Sequence, residues 1–148
     1  MIKFTIRILI LLSLALCVGC NQGTPKTAPV RGMIKTKQGQ PCGKALIVFH
    51  PMEKSRVNDP KPVAIAEDSG EFVVRTFATD DGATPGDYGV TVVWPGEKSG
   101  KPEFSLSGEG GSSGADRLGG KYGNPKDPKI KVTITASGDS NLKLDIDG

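Results

Sequence analysis

Lys129-Ile130-Lys131-Val132-Thr133-Ile134 sets a branched apolar side chain at every second position, with lysine or threonine between. Leu142-Lys143-Leu144-Asp145-Ile146-Asp147 repeats the pattern. A period of two is that of a strand with one buried and one wet face. Earlier in the chain, Tyr88, Val90 and Val92 follow the turn Pro85-Gly86-Asp87, and Phe72, Val74 and Thr76 follow Asp68-Ser69-Gly70. Ala45, Ile47 and Phe49 form another run, in which Leu46 and Val48 make the second face apolar as well. Val30, Gly32 and Ile34 form the first, and residues 62–67 read as a strand whose buried face is undecided. The expectation is an all-β fold, a seven-stranded antiparallel β-sandwich in which two sheets hide one face of each strand. Period alone does not fix closure, so an open barrel satisfies the same pattern.

Composition narrows the class. The 148 residues suit one domain, and 20 glycines with 11 prolines exclude long helical bundles and coiled coils. At 36% hydrophobic and 24% charged the chain is too apolar for a disordered protein. Of 19 basic residues, Lys3 and Arg7 lie in a segment expected to be removed, which leaves 17 against 16 acidic ones, a net of +1. That balance offers no electrostatic footprint for nucleic acid.

The N-terminus reads as an export signal. Two positive charges precede residues 8–18, which are apolar or small throughout, and the chain is polar after Cys20. That apolar run is too short to span a bilayer, which takes roughly 20 residues. Cys17-Val18-Gly19-Cys20 resembles a bacterial lipobox, with small Gly19 before the cleavage point and Cys20 as the residue to be acylated. Cys17 stands where that motif usually has leucine, and ordinary signal-peptidase cleavage is the alternative. The expected organisation is a lipoprotein signal peptide at 1–19, a tether at 20–28 and a β domain at 29–148. A Gly/Pro-rich insertion at 95–128 interrupts the domain, with mobility expected near 107–114. The resulting location is the bacterial cell envelope, anchored to a membrane through acylated Cys20 and facing the periplasm or the exterior.

Candidate chemistry is sparse. Cys42 is the one thiol left after processing, so no intrachain disulfide forms, and its Gln40-Pro41-Cys42-Gly43 context is that of a turn. His50 is the only histidine, ends the second run, and has no evident partner ligands for a metal. Gly110-Gly111-Ser112-Ser113-Gly114 spells the hydrolase G-x-S-x-G, but it lies in a Gly/Ser tract with no histidine after it. Asp80-Asp81-Gly82 lacks the spaced acids of a calcium loop and reads as a capped turn. Lys35 or Lys37 with Asn141 would suit an isopeptide link only beside a buried carboxylate. Trp94 and Tyr122 are either a ligand or partner surface or a plug at the end of the domain, and the plug is favoured.

Four segments, taken in order, carry a resemblance: Val30-Arg-Gly-Met-Ile, Gly43-Lys-Ala-Leu-Ile-Val-Phe, Asp68-Ser-Gly-Glu-Phe and Pro85-Gly-Asp-Tyr-Gly-Val-Thr-Val. Together they resemble the carboxypeptidase regulatory-like, transthyretin-like domain, with Lys44 intervening between Gly43 and Ala45 as a departure. Residues 81–88 and Lys121-Tyr122-Gly123-Asn124-Pro125 also look like small bacterial lipoproteins built on that domain. The resemblance covers most of residues 30–146 without the glycine-rich stretch. It implies a prealbumin-like or immunoglobulin-like sandwich with no enzymatic activity, metal or cofactor of its own. The expected function is a non-catalytic binding or structural module, with an envelope protein or polysaccharide as partner. The alternatives are a carbohydrate or envelope-polymer binding domain and, behind it, an exported hydrolase.

Overall fold

Seven strands form where the period of two runs, and they pair into two sheets. A computed structural model describes residues 25–96 and 115–148. The expected signal peptide, its expected boundary at Gly19 and Cys20, most of the expected tether and the G-x-S-x-G tract lie outside the described residues. The strands are β1 (Val30–Thr36), β2 (Leu46–Pro51), β3 (Val63–Ile65), β4 (Glu71–Val73), β5 (Gly86–Val93), β6 (Ile130–Ile134) and β7 (Asp139–Ile146). A single 3-10 turn, Lys54–Arg56, is the one helical element among the described residues. The sheet orders are β4-β1-β7 and β3-β2-β5-β6.

Alternation decides burial. In β2, Ile47 and Phe49 are buried while Leu46 and Val48 face outward, Leu46 being exposed. In the segment around β3, Pro62, Ala64 and Ala66 are the buried set, which settles its inner face. Val30, Ile34, Phe72 and Val74 from one sheet and Ile47, Phe49, Tyr88, Val90, Val92 and Ile134 from the other join one apolar cluster. Phe49 meets Tyr88 edge to face, centroids 6.1 Å apart, a contact that contributes about 0.5–1.5 kcal/mol beyond area burial. β5 is the exception to clean alternation, because Pro128 lies over Gly89 and His50 over Thr91 on its outer face.

The antiparallel expectation needs one correction. β1 and β7 run parallel, with Gly32 opposite Leu142 and Thr36 opposite Ile146, whereas the other strand pairs are antiparallel. The chain leaves β6 through a turn at residues 135–138, changes sheets and enters β7 in the direction of β1. Gly32 makes the pairing fit: a Cβ there would run into the Leu142 carbonyl oxygen and stand 2.6 Å from Phe72 Cζ. Gly70 is required for another reason, its φ of 86°, which tightens the turn before β4.

The domain also begins earlier than expected. Ala28, assigned to the tether, is buried and exchanges hydrogen bonds with Ala83, N to O at 2.8 Å and O to N at 3.0 Å. Chain entry therefore sits at the end where β1 and β5 start. The other end carries the close of β1, β5 and β7, and beyond β5 the Gly96 N–H donates to the Ala115 carbonyl at 3.0 Å.

Gly32→Ala is expected to cost about 2–3 kcal/mol, since the obstacle is backbone and cannot rotate away. Urea unfolding of the variant measures it; a loss under about 0.5 kcal/mol would mean that β7 can slide off Gly32 without penalty.

Candidate functional site

The end of the domain that holds Trp94 and Tyr122 gathers most of the polar candidates. Trp94 follows β5 directly and is buried, its indole N–H donating to the Gly43 carbonyl at 3.1 Å. The Arg117 guanidinium stacks over the indole, 3.6 Å from the ring centroid. Asp116 organises this return of the chain. Its Oδ1 accepts from the backbone N–H of Trp94 at 2.9 Å and of Leu118 at 3.1 Å, and its Oδ2 from Gly120 at 2.8 Å. Leu118 and Tyr122 are buried behind it, and the Tyr122 carbonyl accepts from Val92 N–H at 3.0 Å. Residues 115–122 of the insertion are thus packed onto β5.

Tyr122 closes the same end. Its hydroxyl accepts from the Asp147 backbone N–H at 2.9 Å and donates to the Asp147 carboxylate at 3.3 Å. Asp147 also receives Lys37 at 2.6 Å and Lys121 at 3.0 Å, and these two hydrogen-bonded ammonium groups hold its carboxyl down to about 2. Of the two readings of Trp94 and Tyr122, these contacts favour the plug over a ligand or partner surface. The ring edges are spent on Gly43 and Asp147, Arg117 covers an indole face, and the pair act as a plug.

The remaining candidates are scattered rather than convergent. Cys42 is fully buried at the plugged end, and burial pushes its thiol up to about 11, only slightly opposed by Arg117. A thiol held neutral is a poor nucleophile. His50 lies toward the opposite end of β2, its Nε2 2.9 Å from Thr91 Oγ1. That side-chain hydroxyl is its partner. Asp81 caps a turn: its oxygens accept from Thr76 N–H at 2.7 Å and Phe77 N–H at 3.0 Å. Burial would raise its pKa, but the backbone N–H groups of Thr76, Phe77 and Ala78 outweigh that and lower it. Among the described residues no three His, Cys, Asp or Glu side chains gather as metal ligands. Lys37 is committed to Asp147, and Lys35 stands opposite Asp145 rather than Asn141.

One polar cluster went unread in the sequence. Arg56, in the 3-10 turn, donates from Nη1 to the Pro85 carbonyl and from Nη2 to the Tyr88 hydroxyl, both at 2.8 Å, and from Nε to Asp59 at 3.2 Å. Tyr88 in turn donates to the Thr84 carbonyl at 2.6 Å. The available signal was the tyrosine itself: an inward Tyr88 demands a partner for its hydroxyl. Asp116-Arg117-Leu118-Gly119-Gly120 likewise has the composition of a side-chain-capped turn.

His50 gives a clean titration because it is the chain's sole imidazole. Burial first, and Lys61 second, lower its pKa from 6.5. A depressed folded pKa means that its contribution to stability is present above 6.5 and is lost as pH falls through the folded value. Proton NMR should therefore find its midpoint below 6.5, and thermal stability should decline on acidification through that window less steeply in His50→Gln. A midpoint at or above 6.5 contradicts the burial and the Lys61 proximity together.

Compared with known proteins, the chain matches no family model, no curated protein and no solved structure.

Proposed function

We propose that the chain is a lipid-anchored module of the bacterial cell envelope, a seven-stranded β-sandwich of transthyretin-like kind that binds or braces without catalysing. The observation that carries this reading is the N-terminal order of charge, apolar run, Gly19-Cys20 and polar tether. Support comes from the domain's polarity: the tether enters at Ala28, and the Trp94 end lies at the other extreme of the strands. A further support is how the polar side chains are used. Asp81, Asp116 and Arg56 hold backbone, and Tyr88 and Tyr122 lock loops.

A carbohydrate or polymer site on Trp94 and Tyr122 draws less support, since both rings are buried. A hydrolase using Ser112 or Ser113 would need His50 as base, and that imidazole is engaged with Thr91.

Each buried acyl methylene contributes about 0.8 kcal/mol, and stable anchoring generally takes two chains, which a diacylglyceryl group on Cys20 supplies. The N-terminal peptide of the membrane-extracted protein should begin at Cys20 with the mass of the lipid added, and Cys20→Ala should abolish lipidation and processing together. An unmodified Cys20, or a mature start elsewhere, refutes the anchor.

A further inference from the structure

β7 ends its sheet, paired to β1 on one side and, among the described residues, to no strand on the other. Strand alternation divides its backbone groups. The Ile146 carbonyl accepts from Lys37 N–H and the Leu142 carbonyl lies against Gly32, so the even-numbered residues point to β1 while Lys143 and Asp145 point outward. At both ends the outward N–H groups are already taken. Asn141 donates to Asp139 Oδ1 at 2.8 Å and Asp147 to the Tyr122 hydroxyl at 2.9 Å. Among the described residues the N–H groups of Lys143 and Asp145, between them, have no acceptor.

The other sheet edges are guarded. β3 and β4 have three residues each, and Val63 of β3 bridges to Arg75 just past β4. β6 is preceded by Lys129 and carries Lys131 as its second residue, lysine being the usual guard against pairing. β7 is eight residues long, has no proline, and its two exposed charges, Lys143 and Asp145, are of opposite sign.

We propose that this edge joins two copies of the chain, β7 pairing antiparallel with β7 of a second copy about a twofold axis at Leu144. In that register Lys143 stands opposite Asp145 of the second copy, and Asp145 opposite its Lys143. The residues with open N–H groups become the two hydrogen-bonded pairs of the ladder, exchanging two bonds each. Other registers of the same parity are worse. Centring on Lys143 or Asp145 sets that charge against itself, and centring on Leu142 sets Asp145 against Asp139. Lys35, opposite Asp145 on β1, extends the row of alternating charge. On the inner face half-buried Leu142 meets Ile146 of the second copy and gains cover. The product is one continuous sheet, β4-β1-β7-β7-β1-β4, closed by its own symmetry. If both copies are lipid-anchored, their strands lie along the membrane; the pairing itself does not rest on that anchoring.

Charge reversal tests it, with the full chain in density-matched detergent and sedimentation velocity as the measurement. The wild type should show a concentration-dependent monomer–dimer equilibrium. Lys143→Asp places two like-charge pairs across the axis and should raise the dissociation constant about tenfold or more. Asp145→Lys should do the same, and the double variant Lys143→Asp/Asp145→Lys should bring it back to within about threefold of wild type. Thermal melts of the dilute proteins establish that each variant is folded, with Lys143→Asp the cleaner because Asp145→Lys also faces Lys35. A wild type monomeric at every concentration up to about 0.5 mM overturns the proposal. So does a dimer indifferent to the single reversals, or a double variant that stays as weak as either.

Discussion

The parallel seam between β1 and β7 is the constraint on which the rest of the domain depends. It brings the first and last strands of the fold side by side, so the chain cannot be completed until its final residues return. The seam tolerates only a hydrogen at Gly32, where the Leu142 carbonyl and the Phe72 ring close from two directions. Leu144 is delivered to the core beside Ile34 and Ile146 beside Thr36, and all four are almost completely buried. Because a parallel partner must approach from the same end as β1, the turn at 135–138 has to carry the chain from one sheet to the other. The pairing also sets Asp147 beside Lys37, where the acid and Tyr122 finish the plugged end.

Around that seam the loops are held by side chains rather than by long backbone ladders. Asp116 gathers three backbone N–H groups, Asp81 gathers those at Thr76 and Phe77, and Arg56 bridges the 3-10 turn to Pro85 and Tyr88. A carboxylate occupied in this way has its lone pairs directed at fixed N–H donors, which suits a brace better than a proton-transfer group. Cys42, the one thiol among the described residues, is enclosed and its pKa is raised by burial, and the one imidazole lies toward the far end of β2 from it.

Strand existence was legible because the apolar period is strong: a strand forms in each of the seven runs, four longer by one to three residues than the period marked and two, at 62–67 and 72–76, shorter. Their mutual order was less so. Nothing local distinguishes Leu142–Ile146 pairing parallel to β1 from pairing antiparallel to β6, since both present the same apolar face. That choice is made by Gly32 and by the route of the 135–138 turn, which are tertiary facts. Alternation in β5 was masked by covering groups, Pro128 and His50, that come from other parts of the chain. Trp94 was legible as an end residue, but its partner Gly43 is 51 positions away. Ala28 failed as a tether residue because its pairing with Ala83 depends on a turn that Asp81 caps.

Native-state amide exchange tests the seam most directly. The Leu144 N–H, which points to β1, should exchange only on global unfolding, with the same free energy as the most protected amides of β2 and β5. A Leu144 amide that opens well below that level while β2 and β5 stay protected would make β7 an appended edge, and the domain would not be closed by its first and last strands.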